Sequence, residues 1–319
     1  MNDACYCPTT DKIYGTSGPY VVQFNGTTGL REGFVRVGAP LYGDIRICYH
    51  AANDTLYVAC LFEPNKQFFG GFAPTSAFPH RDIFPVTTGL VVGARIGMWN
   101  LVDTHSPYGG FQWIGSSGNS IYTVYSGPAT SGTAGYFVYR VDPTNMADNG
   151  GSNSTRFRAE QCGLSPTQIA VPGPVSLANN QQIQFAPIGY ILAAQWAGMY
   201  VVPHNPVAVE YCPATLKFYV VCGTDQLLRL DTLTPFPGTY TALNLGAVEA
   251  SADPCRIRYR AADQKLYIPC MTANTVIVWD PFSETGIAKT GFENPVDCVF
   301  SASKAWAVQN AVIGLREIV

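Results

Sequence analysis

Short apolar or alternating runs recur along the chain, each cut by Gly, Pro, Asn, Asp or Thr. VVQFN (21–25), YFVYRVD (136–142), LLRLD (227–231) and VIVWD (276–280) are rich in β-branched and aromatic residues and end on Asn or Asp. Turn-formers follow, as in NGTTG (25–29), DTLTP (231–235) and DPFSETG (280–286). Weaker runs, TYTALNL (239–245) and GIAKTGF (286–292), come next. No window holds a 3.6-residue apolar period for three turns, so the pattern predicts strands and hairpins throughout.

The runs belong to a repeat. YCPTTDKIY (6–14), YHAANDTLY (49–57), YCPATLKFY (211–219) and YRAADQKLY (259–267) each set two tyrosines eight residues apart around a polar turn. A cysteine stands eleven residues after the first tyrosine in three copies: Cys60, Cys222 and Cys270. Pro206 and Pro254 precede it by five, as Pro295 precedes Phe300 in a shorter final copy. Each unit reads as strand, hairpin turn, strand, turn, strand, turn, strand. Anchors are placed at Tyr6, Tyr49, Trp113, Val171, Tyr211, Tyr259 and Phe300, with Tyr122 before the YFVYRVD strand. Spacings of 43, 48 and 41 residues between the clear copies are those of a four-stranded propeller blade. The expectation is an all-β fold, a single β-propeller over residues 1–319 with about seven blades (six and eight being the alternatives). The 64-residue step from Tyr49 to Trp113 implies an irregular insertion at 61–112, in the second or third blade. A degenerate blade around LVVGARIGMW (90–99) is a further option.

The run LYIPCMTANTVIVWDPFSETGIAKTGFENPVDCVFS (266–301) resembles the YVTN/NHL-type propeller repeat. Trp279–Asp280 is similar to the dipeptide of WD40 repeats, although the Gly-His element is missing. The resemblance covers 1–60 and 205–319 well and 61–204 poorly. It implies a propeller and no particular activity.

Charged residues make up only 13% of the chain, against roughly 25% in an average soluble domain, and the net charge is −3. With no Lys/Arg cluster, nucleic acid is not an expected partner. No apolar stretch reaches the roughly 20 residues of a membrane span, so membrane insertion is not expected. The start, MNDACYCPTTDK, does not read as a signal peptide.

Candidate chemistry is sparse. The four histidines lack ligand spacing, and no nucleophile, phosphate-loop or dinucleotide motif is present, so no catalytic residue and no cofactor is assigned. The ten cysteines read as small residues packed between blades, with Cys48–Cys60 and Cys255–Cys270 as alternative disulfides. Lactonase-like propeller hydrolases, which this chain resembles in build, hold a divalent metal in the channel. That likeness makes Glu210 and Asp297 alternative ligands, with Asp44 a poorer third.

The leading expectation is a non-catalytic interaction propeller that binds other subunits of a larger assembly. Few charges and many small polar and aromatic residues, without an export signal, suit a virion component of a bacteriophage tail, collar or capsid; a cytoplasmic setting is the alternative. Podovirus tail tubes resemble the chain in containing propeller domains. Expected partner anchors are Phe68, Phe69, Phe72, Phe78, Phe84, Trp99, Tyr108 and Phe111 of the insertion. A second expected contact is the last strand, Leu315, Arg316, Glu317, Ile318 and Val319, left as an edge in a three-stranded final blade. Carbohydrate or receptor binding and metal-dependent hydrolysis are the alternatives.

Overall fold

The computed structural model describes residues 1–37, 45–62, 80–94, 96–97, 111–128, 134–143, 147–152, 161–174, 181–187, 198–202, 205–223, 225–231, 239–250, 252–311 and 313–319. The chain divides into two compact units. One comprises Asn2–Thr155 with Ile191–Ala193; the other comprises Met1, Arg156–Tyr190 and Ala194–Val319.

The unit built on Asn2–Thr155 holds three sheets. The first contains β1 (Asp3–Cys7), β2 (Lys12–Ser17), β3 (Tyr20–Asn25) and β4 (Arg31–Arg36). The second contains β5 (Arg46–His50), β6 (Thr55–Phe62), β7 (His80–Thr87) and β8 (Ile96–Gly97). The third contains β9 (Phe111–Ser117), β10 (Ser120–Pro128), β11 (Ala134–Asp142) and β12 (Ala147–Ser152). The other unit holds four. They are β13 (Gly163–Leu164), β14 (Gln168–Pro174), β15 (Gln181–Pro187), β16 (Gly198–Val202); β17 (Pro206–Cys212), β18 (Lys217–Cys222), β19 (Gln226–Leu230), β20 (Tyr240–Asn244); β21 (Arg258–Arg260), β22 (Lys265–Cys270), β23 (Thr275–Asp280), β24 (Thr285–Lys289); and β25 (Pro295–Phe300), β26 (Ala305–Gln309), β27 (Gly314–Glu317). Every sheet is an antiparallel meander in chain order. The last has three strands, as the sequence led us to expect.

Burial follows strand position. Second strands are buried on both faces, as in FYVVC of β18, LYIPC of β22 and AWAVQ of β26. They therefore read as continuous apolar runs, because each is sandwiched between neighbouring layers. Fourth strands such as β4 and β24 alternate exposed with half-buried residues.

The repeated tyrosines have a structural cause. In four sheets the first hairpin closes with four residues between paired ends, as at Cys7↔Lys12, His50↔Thr55, Cys212↔Lys217 and Arg260↔Lys265. The last turn residue takes positive φ each time: Asp11, Asp54, Leu216 and Gln264, each five residues after the first tyrosine. Tyr6 and Tyr49 donate their hydroxyls to Asp11 and Asp54 at 2.9 and 2.8 Å, tying the turn to its strand.

Three expectations need correction. In the other three sheets the turn is two residues shorter, so the opening position is Ser116 rather than Trp113 and Leu164 rather than Val171. Val171 lies on the second strand, β14. Within the expected insertion, His80–Thr87 is the third strand of the second sheet and Ile96–Gly97 its outer strand, not a separate blade.

Leu216 is 72% exposed and left-handed at φ 58°. A Cβ in that region costs roughly 1–2 kcal/mol, partly offset by the extra chain entropy glycine loses on folding. Leu216→Gly is expected to raise stability by up to about 1 kcal/mol, read as an upward shift of the urea midpoint.

Candidate functional site

Numbering each sheet from its opening position reveals a polar level on the first strands. Three residues upstream stand Asp3, Arg46 and Trp113 in one unit, and Gln161, Ala208, Arg256 and Asp297 in the other. First strands are paired on one side only, so their remaining backbone groups need other partners. Side chains at this level supply them. Asp3 Oδ2 accepts the N–H of Ile47 at 2.9 Å. Gln161 Oε1 accepts the N–H of Ile257 at 3.2 Å, and its Nε2 donates to the Ile257 carbonyl at 2.6 Å.

The densest cluster lies in the unit built on Ala194–Val319. Asp297 of β25 is 0% exposed and Arg256 4%, with Nη1 to Oδ2 at 2.8 Å. Arg258 of β21 is 25% exposed and grips the same carboxylate with two bonds, Nε to Oδ1 and Nη2 to Oδ2, both 2.8 Å. The Cys298 N–H donates to Oδ1 as well. Burial alone would raise the Asp297 carboxyl, but the guanidiniums of Arg258 and Arg256 outweigh it and hold it below the ordinary carboxylate range. Beside it, partly buried Glu210 of β17 accepts from Gln161 Nε2 at 2.7 Å and from the Tyr259 N–H at 3.3 Å. Burial pushes its carboxyl up to about 7; Arg258 and the Tyr259 N–H oppose the shift and Asp297 adds to it.

Glu210 and Asp297, the alternative metal pair, both have partners within the protein. Asp297 is committed to two arginines and Glu210 to amide donors, so their oxygens serve the protein's own cations and N–H groups. Among the described residues no group of three or more His, Cys, Asp or Glu gathers as a metal site. Asp44 lies outside the described residues.

The disulfide alternatives also fail, on pleat parity. Cys48 faces Tyr57, three residues from Cys60, so the two thiols point to opposite faces. Pro254, not Cys255, faces Cys270. All ten cysteines are free. The Cys255 thiol donates to the carbonyls of Pro269 and Val296 at 3.4 Å. Burial pushes the Cys222 and Cys270 thiols up to about 12.

Of the expected partner anchors, Phe68, Phe69, Phe72, Phe78, Trp99 and Tyr108 lie outside the described residues. Phe111 opens β9. Phe84 is a correction: it is buried with Tyr14, Val58 and Val86, because β7 is a regular third strand and not part of a surface loop. Leu315–Glu317 lie on β27, followed by Ile318 and Val319. The polar level was missed in the sequence, although Asp3, Arg46, Arg256 and Asp297 each stand three residues before an assigned anchor.

No protein-family model and no curated protein matches the chain. Solved structures do. A chain of "Kuenenia stuttgartiensis Hydrazine Synthase" superposes with a TM-score of 0.71 at 13% identity, covering 99% of this chain and 94% of that one. A chain of "Crystal Structure of Mitotic Checkpoint Complex" gives 0.69 at 10% identity, over 100% and 87%. The fold is a β-propeller. In all, 788 solved chains match, and such breadth marks a fold that carries many functions and fixes none.

Removing the Asp297 charge takes away the buried carboxylate that Arg256 and Arg258 both hold. Asp297→Asn is expected to cost about 3–5 kcal/mol in chemical unfolding. The stability Asp297 supplies is present above the ordinary carboxylate pKa and lost as pH falls through its lowered value. A thiol-reagent titration should find most of the ten cysteines unreactive in the folded propeller and all ten reactive in denaturant.

Proposed function

We propose that this propeller is a non-catalytic interaction module, and that the outer edge of β27 receives a strand from another subunit, in the first instance a second copy. The last sheet carries this reading: three strands where each of the other described sheets has four. The Ile318 N–H is spent on Ala305, so by antiparallel alternation the N–H groups of Leu315 and Glu317 point away from β26. An edge with free donors and acceptors is a template for pairing.

The larger setting we propose is a virion particle. Low charge density and a composition rich in small polar residues support it.

Leu315→Pro removes an outward N–H and leaves the β26 ladder in place. Light scattering is expected to show a wild-type assembly that this change reduces to single chains, with an unchanged urea midpoint. A wild-type protein that stays monomeric at all concentrations, or an assembly indifferent to the change, rejects the edge as the interface.

A further inference from the structure

An outer strand is covered by the sheet that follows it. On β20 the side chain of Leu243 is turned to the β21–β24 sheet and is 9% exposed, in one cluster with Ile277 and Trp279 of β23. β24 has the last sheet after it, which stops at its third strand. Across β23 and β24, Val276 stands opposite Lys289 and Val278 opposite Ile287, so each pair shares a face. Val276 and Val278 pack with Ala305 and Ala307 of β26 and with Ile318 just past β27. One strand further out on that face, Ile287 is 63% exposed. An apolar side chain is thus left bare where a strand added to β27 would lie.

Positive charge borders it. Lys289 follows Ile287 by two residues on the same face. Arg316 of β27 stands opposite Ala307, a member of the shared cluster, so Arg316 is also turned towards β24. Its Nη2 lies 3.5 Å from the point where a side chain on Gly291, just past Lys289, would begin. Two residues on, Ile318 packs in the cluster that holds Tyr267, and Tyr267 is opposite Val278. β27 therefore runs from the Lys289 end of β24 towards its Ile287 end. A strand pairing antiparallel with β27 runs the other way, past Ile287 first and Lys289 second.

We propose that β24 is the floor of this edge, and that the strand accepted there carries an apolar side chain followed two residues later by a carboxylate. The inference rests on the reading of β27 as a receiving edge and adds the chemistry of the strand. Backbone pairing with β27 supplies affinity for any extended segment, and alternation lets every second side chain meet β24. The apolar one covers Ile287; the carboxylate comes to Lys289 and Arg316. A strand with lysine in that place brings a third cation to them, and like charges on neighbouring strands are unfavourable.

Binding of a synthetic heptapeptide to the dilute full chain tests this. The peptide alternates threonine with valine, isoleucine and glutamate, in that order; its twin has lysine in place of glutamate. The wild type is expected to hold the glutamate peptide roughly fivefold tighter, a comparison that needs no variant. Lys289→Glu should erase the preference. Ile287→Glu should weaken both peptides on the order of tenfold, with an unchanged urea midpoint because the side chain is mostly exposed. Equal binding of the two peptides by the wild type, or binding indifferent to Ile287→Glu, overturns the floor. If Leu315→Pro still abolishes that binding, the edge itself stands. Failure of both peptides to bind rejects edge and floor together.

Discussion

A buried aromatic ring on the second strand, with its polar tip reaching outward, is the interaction on which the repeat depends. Tyr14, Tyr57, Tyr122, Tyr219, Tyr267 and Trp306 occupy this place in six of the seven described sheets, and all are buried. Each ring fills space no single sheet could fill, and each tip needs a partner once dry. Tyr14 donates to the carbonyl of Thr88 at 2.6 Å and Tyr219 to that of Pro281 at 3.4 Å. Both carbonyls belong to the third-to-fourth-strand turn of the following sheet. The same residue thus seals the layer between neighbouring sheets.

With sheets held at this spacing, the first strands come together, and their unpaired backbone edges become the next problem. The chain meets it with carboxylates, an amide and arginines at one level. That level looks like a functional centre when carboxylates alone are counted. Its hydrogen bonds show internal compensation: Asp297 answers Arg256 and Arg258, and Gln161 answers Ile257. These groups are spent inside the fold, which is why the functional reading rests on assembly.

The sequence was legible where the hairpin kept its four-residue turn, because two tyrosines then stand at fixed spacing. It became illegible where the turn shortened at Ser117–Ser120 and Ser165–Gln168, and the anchors slipped to Trp113 and Val171. In the second sheet the turn VTTGL (86–90) echoes FNGTTGL (24–30) and would have marked the third strand. The long connection before His80 had moved it away from the expected spacing.

By itself the sequence determined the class of fold, the strand as its unit and the two-tyrosine hairpin. These are set by local periodicity and turn chemistry, which a single chain segment carries. Only the tertiary structure decided that Asp297 is held by two arginines, that Cys48 and Cys60 face opposite ways, that Phe84 is core, and that Gln161 bonds to both Glu210 and Ile257. Those facts depend on which residues about 40 to 100 positions apart meet across first strands, and on the parity of each pleat. Neither is written in any one repeat.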